Sequence, residues 1–205
     1  SFDKLLLENN KRKEGPILKF DESILINPMK INSNATYSEE DIFLIAKIDV
    51  FKSKKTLKSS TLSTFFNKGQ FLLENLRSQT IPLSSAIDID KAAKLFAIAD
   101  ITYGIHALRW KNLRFYFNPI LGKLELIGYD SNCGAQLPDI NYNLWLNKIP
   151  GVYGGVYGWK DIFFKDPTFV SLYFKYLNKY SDPTYLSEFH KKTEKELTIN
   201  LSAIF

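Results

Sequence analysis

The sequence predicts an α+β unit that is mostly helical and carries one β-hairpin. Three observations predict it. Apolar residues recur at three- and four-residue intervals over several stretches, most clearly at Ala92, Leu95, Phe96, Ala99 and Tyr103. The period then changes to two: Leu113, Phe115 and Phe117 alternate with Arg114 and Tyr116, and Leu124 and Leu126 resume the alternation after a turn at residues 118–122. Finally, 205 residues that are 45% hydrophobic and 15% aromatic suffice for one buried core, so residues 1–205 are read as a single domain or one lobe of a larger one.

Taken in order, Leu5, Leu6 and Leu7 with the charged residues up to Glu14 predict a helix end that Gly15-Pro16 stops. Ile17, Leu18 and Phe20 follow as a short strand. Residues 27–36, rich in Asn, Ser and Pro, read as a loop. The pattern Ser38-Glu-Glu-Asp41 reads as the cap of a helix over residues 42–51, and residues 53–63 as a second loop. Phe65, Phe66, Phe71, Leu72, Leu73 and Leu76 define another helical face, closed by a polar turn before Pro82.

The strongest helix starts at Asp88 or Asp90, whose carboxylates can accept the free amides of a first turn, and Gly104 is placed at its end. After the hairpin, residues 150–158 form an aromatic, glycine-rich stretch without the lysine of a phosphate loop. Asp166-Pro167 and Asp182-Pro183 each pair an N-cap with a first-turn proline. They begin two helices expected to pack antiparallel through Phe169, Leu172, Tyr173 and Tyr176 against Leu186, Phe189, Leu197 and Leu201.

Composition narrows the function. No apolar run approaches the roughly 18 to 20 residues that a membrane helix requires. A single cysteine, Cys133, excludes an internal disulfide framework. A net charge of +5 permits an acidic partner. The basic run Lys52, Lys54, Lys55 and Lys58 has no interleaved stacking aromatics and no recognisable nucleic-acid module, so nucleic acid is not expected as a partner. The opening residues enter a helical pattern without a preceding turn, which reads as the continuation of a longer chain.

Polar residues concentrate between the best helix and the hairpin, at His106, Arg109, Lys111 and Asn112, and again at Asp130, Ser131 and Asn132 where the hairpin ends. Rigid elements on both sides can hold loop side chains in register. Asn112 and Asp130 flank the same two strands and could offer oxygens to one point, a donor set suited to Mg²⁺. Kinases use a comparable order: a loop aspartate that orients the hydroxyl, an asparagine in that loop, and a metal-binding aspartate after a hairpin. The plain structural alternative is that Asn112 and Asp130 cap turns.

The run Ala93-Lys-Leu-Phe-Ala-Ile-Ala-Asp100, then His106-Ala-Leu-Arg-Trp-Lys-Asn-Leu-Arg-Phe-Tyr-Phe-Asn-Pro119, then Gly122-Lys-Leu-Glu-Leu-Ile-Gly-Tyr-Asp130 resembles the CotH family of spore-coat-protein-H-like atypical kinases, in its bacterial branch. Phe2-Asp-Lys4, Leu7-Glu-Asn-Asn10 and Glu14-Gly-Pro-Ile-Leu-Lys-Phe20 resemble the segment after that family's small lobe, so the likeness spans residues 1–132. It implies a protein-kinase-like large lobe with the small lobe upstream, a hairpin carrying the metal-binding aspartate, and Mg²⁺ and ATP as cofactors. It also implies phosphoryl transfer to a hydroxyl of a protein acceptor, and a coat, envelope or extracellular setting. Asn112 matches the loop asparagine, a catalytic, nucleotide-binding and metal position, and Asp130 matches the aspartate that binds nucleotide and metal.

Two departures stand out. Asn132 occupies a position where the family has a second acid, keeping a metal-ligating oxygen without its charge. Ala107 stands where a catalytic loop carries its aspartate, and alanine can neither accept a proton nor orient a hydroxyl. His106, next to it, is the substitute base, and Arg109 is the residue expected to neutralise phosphate. Arg114 is expected to pair with Glu125 across the hairpin, outside the site. Lys19 reads as an ordinary strand lysine. The competing reading is a non-catalytic, pseudokinase-like surface or coat module that presents the aromatic residues 152–159 to a partner.

Overall fold

The computed structural model describes residues 4–24, 26, 39–131 and 157–202. A four-stranded antiparallel sheet is surrounded by helices, so the α+β, mostly helical class holds. The strands are β1 (Ile17–Phe20), β2 (Ile48–Val50), β3 (Arg114–Asn118) and β4 (Lys123–Ile127), in the order β2-β1-β3-β4. Leu18 pairs with Val50 on one side and Phe115 on the other, and Arg114 pairs with Ile127 across the hairpin.

The alternation read from the sequence separates the two faces. Leu18, Phe20, Phe115, Phe117 and Leu124 point into the main core. Ile17 and Tyr116 point the other way and meet Leu7 of α1 (Lys4–Asn9), with Leu6, Phe51 and Ile127 around them. This second face is also pinned electrostatically. Glu125, 5% exposed, accepts from Arg12 Nε at 2.9 Å, Lys91 Nζ at 2.6 Å and Asn118 Nδ2 at 2.6 Å. A carboxylate so deeply placed is tolerated because two cations and an amide replace its water.

The remaining helices are α2 (Glu39–Ile45), α3 (Ser53–Lys58), α4 (Ser60–Arg77), α5 (Leu83–Ala86), α6 (Ile89–Ile101), α7 (Tyr157–Phe164), α8 (Pro167–Tyr180) and α9 (Pro183–Ser202). Asp88 caps α6 by accepting from the Lys91 amide at 3.2 Å, and Ala92, Ala93, Phe96, Ala97 and Ala99 are buried beneath its neighbours. The small residues let α8 approach α6 closely. There the Tyr173 and Tyr176 hydroxyls donate to Asp100 and Asp90, and Lys94 Nζ meets Asp90 at 2.5 Å. Aromatic edges fill the centre: Phe20, Phe43, Phe115 and Trp159 meet at 5.2–6.1 Å, a geometry worth about 0.5–1.5 kcal/mol per pair beyond area burial. That gain offsets the indole N–H groups of Trp110 and Trp159, which have no hydrogen-bond partner among the described residues and cost about 1–3 kcal/mol each.

Four expectations are corrected. The helix predicted over residues 42–51 ends at Ile45, because Ile48 and Val50, β-branched and alternating with Asp49, pair with β1 instead. The expected loop at residues 53–63 holds α3 and the start of α4: Lys52 turns the chain at φ 53°, and Thr56 is buried. The first helix stops at Asn9 rather than at Gly15-Pro16, as Asn10 donates its amide to Leu6 O and Lys11 adopts φ 55°. The last two helices do not bury a shared apolar face. The apolar face of α8 goes to α6, where the two aspartates take its hydroxyls, and Leu186, Phe189 and Leu197 of α9 remain 45–50% exposed. Residues 27–36 and most of the glycine-rich stretch lie outside the described residues, whereas Trp159 at its end is buried.

Candidate functional site

The chain leaves α6 through Tyr103, which takes the left-handed turn at φ 56°, while Gly104 donates its amide to Ala99 O at 2.7 Å. The glycine predicted as the stop therefore follows the residue that makes it. A 3-10 turn, Ile105–Leu108, leads into a tight loop in which the Arg109 carbonyl accepts from the Asn112 and Leu113 amides at 2.9 and 3.0 Å. Buried Leu108 and Trp110 anchor this loop, so His106, Arg109 and Asn112 are presented from a fixed frame.

Three of the predicted site residues converge. The Asn112 side chain is 8% exposed as a residue and its Nδ2 lies 2.9 Å from His106 O and 3.0 Å from His106 Nδ1. His106 Nδ1 lies 2.8 Å from the backbone carbonyl of Asp130 and 3.5 Å from its Oδ2. A carbonyl can only accept, so the 2.8 Å contact assigns the proton to Nδ1 and leaves a lone pair on Nε2; Asn112 Nδ2 then donates to His106 O, and its 3.0 Å approach to Nδ1 sets two donors side by side. With its nitrogen engaged, Asn112 has no partner for Oδ1 among the described residues. Asp130 follows the last strand at φ 54°, a left-handed conformation that aspartate tolerates better than most residues, and its carboxylate is 56% exposed.

This donor set is one amide oxygen and one carboxylate, both hard oxygens. It fits Mg²⁺, which takes few protein ligands and keeps several waters. Asn132, the third expected ligand, lies outside the described residues. Among the described residues no group of three His, Cys, Asp or Glu side chains gathers to hold a metal.

Ala107 is buried, and the Cβ that a side chain at Gly128 would carry falls 3.4 Å from its methyl. The position at which the resemblance implies an aspartate is thus packed against the hairpin. Arg109 is half-buried, and its charge acts on Lys160 of α7, a residue that the sequence reading missed. Burial pushes the Lys160 ammonium below the usual lysine range, Arg109 adds to this, and Asp161 and Asp100 oppose it. The signal was a single lysine beside Trp159 in an apolar helical segment, and nothing in the sequence joined that segment to residues 106–112.

One other expectation resolves differently. Arg114 does not pair with Glu125. It stands opposite Ile127, and its guanidinium lies between the rings of Phe51 and Tyr129 at 5.5 and 5.2 Å, with Nη1 donating to Lys111 O at 2.6 Å. Burial draws its pKa down. Lys19, as expected, is a partly exposed strand residue, set 5.7 Å over the Phe51 ring. No protein-family model and no curated protein matches the chain.

Proposed function

We propose that the chain is the large lobe of a CotH-like atypical kinase, acting with Mg²⁺ and ATP on a hydroxyl of a protein acceptor. The observation that carries this reading is the junction of Asn112, His106 and Asp130 at the base of one hairpin. Asn112 Oδ1 and the Asp130 carboxylate would hold the metal, which draws charge from the phosphate oxygens. The His106 Nε2 lone pair would take the acceptor's proton as its oxygen forms the new bond to phosphorus and the bond to the leaving diphosphate breaks. Arg109 and Lys160 add positive charge beside the loop. The coat, envelope or extracellular setting belongs to the same reading.

The test is calorimetric titration of ATP into the protein with and without Mg²⁺, repeated with Asp130→Asn. Metal-dependent binding that falls at least tenfold in the variant supports the reading, and binding indifferent to both ends it.

One observation favours a second reading, a non-catalytic pseudokinase-like module at a surface or coat. Ala107 is buried against the hairpin and offers no carboxylate to the acceptor. That reading expects Mg²⁺-dependent nucleotide binding with no transfer of the terminal phosphoryl group. Labelled product on an acceptor that disappears with His106→Ala would decide against it.

A further inference from the structure

On the core side of the hairpin's far end, α4 and the turn at residues 118–122 enclose a groove of about 550 Å³. Phe65, Leu72, Phe117 and Pro119 form its floor, with Phe65 and Phe117 rings 5.7 Å apart. Phe71 stands in its wall 63% exposed, and the adjoining turn holds out Ile120 at 74% and Leu121 at 52%. Single exposed apolar residues are ordinary, but Phe71 in the wall together with Ile120 and Leu121, which sit between the lining residues Pro119 and Gly122, mark a surface for a partner.

The turn is not loose. Asn118 Oδ1 accepts from the Ile120 and Leu121 amides at 2.9 and 3.2 Å, Asn118 O accepts from the Gly122 amide at 2.9 Å, and Asn118 Nδ2 is tied to buried Glu125 at 2.6 Å. Gly122 closes the turn at φ 65°, a conformation that residues with a Cβ resist. Ile120 and Leu121 are therefore presented already ordered, which lowers the entropy lost when a partner packs on them.

Charge selects the occupant. Lys68 is the sole charged residue lining the groove among the described residues, and no carboxylate lines it. We infer that this groove docks a short segment of a partner protein that carries two apolar side chains and an adjacent carboxylate. The apolar pair would fill the floor between Phe71 and the Ile120-Leu121 turn, and the carboxylate would meet Lys68. A basic segment would bring like charge to Lys68, and a small apolar molecule would leave the rim uncovered. The groove lies at the opposite end of the hairpin from Asp130.

A display library of random dodecapeptides selected on the protein tests it, with affinities of the enriched peptides measured by fluorescence anisotropy. The expected result is a motif of two apolar positions with a nearby Asp or Glu. Phe71→Asp and Ile120→Asp should each weaken binding at least tenfold and Lys68→Glu at least threefold, while Asp130→Asn leaves it unchanged. Both apolar positions are exposed, so the variants keep the fold, which circular dichroism checks. Failure to enrich any motif, enrichment of basic motifs, or binding that survives Phe71→Asp and Ile120→Asp would overturn the inference.

Discussion

His106 Nδ1 and the Asp130 carbonyl, 24 residues apart in sequence, meet at 2.8 Å and so tie the loop after α6 to the end of β4. The contact fixes the imidazole's tautomer and the direction of its free nitrogen at once. His106→Ala should then do two things: abolish any phosphoryl transfer, and loosen the backbone at Asp130. Protection of amides 128–131 from hydrogen exchange should fall, and His106→Gln, which can still donate to the carbonyl, should recover that protection but not the transfer.

Removing the Asp130 charge should act on the ligand rather than the fold. The carboxylate is more than half exposed, and asparagine accepts the same left-handed backbone. Asp130→Asn is expected to melt within about 1 °C of the parent, a surface-type change, yet to lose metal-dependent nucleotide binding. A large fall in melting temperature would show that the side chain is structural instead.

Glu125 makes the opposite prediction. Its carboxylate is buried and shared by Arg12, Lys91 and Asn118. Glu125→Ala leaves two cations without their partner and should cost about 2–4 kcal/mol, since both are about one-third exposed and can turn partly to water. Urea unfolding of the variant and of Glu125→Gln, expected to lose less, measures it.

Gly15→Ala should be worse than its size suggests. An added Cβ would stand 2.4 Å from Phe117 O, a backbone atom that cannot turn aside, next to the pairing of β1 with β3. A loss of about 3 kcal/mol or more is expected, in the range of severe overpacking, and denaturant midpoints check it. Gly122→Ala, with open space around it and only the φ to resist, should lose about 1 kcal/mol.

Alkaline pH should unfold the protein through its buried tyrosines. Burial pushes the Tyr116 phenol up to about 12, with Glu125 adding to it, and Tyr173 is pushed up as well by burial and by Asp100. Below pH 10 the phenol is neutral in both folded and unfolded chains. Between pH 10 and 12 the unfolded chain releases a proton that the folded one keeps, so stability falls as pH rises, by about 2–3 kcal/mol for Tyr116. Tyr116→Phe should flatten that slope, at the cost of the hydrogen bond to Lys13 O.

Local patterns were legible where tertiary structure agreed with them. The α6 cap at Asp88, the period-two hairpin and the two Asp-Pro starts are all where short-range chemistry puts them. Strand β2 was not, since three residues take their conformation from pairing with β1 rather than from their own pattern. Nor was the partner of α8, because Asp90 and Asp100 are polar positions whose bonds to Tyr176 and Tyr173 exist only once α6 and α8 meet. In the candidate site, the nearness of Asn112 and Asp130 was legible from their place at the hairpin's ends. Their link through the backbone carbonyl and Nδ1 of His106 was not, and Lys160 was hidden by sequence distance.

With the groove and the proposed site both occupied, the hairpin would act as a ruler. Its strands are five residues long, about 17 Å, and they separate the ordered turn at Ile120 and Leu121 from the base at Asn112 and Asp130. A chain gripped at one end keeps its neighbouring residues within that length of the other, at a local concentration on the order of millimolar for a short flexible connection. Capture at the tip would thus raise occupancy at the base for partners whose free concentration is far lower, and the spacing between the two recognised elements would decide which partners benefit.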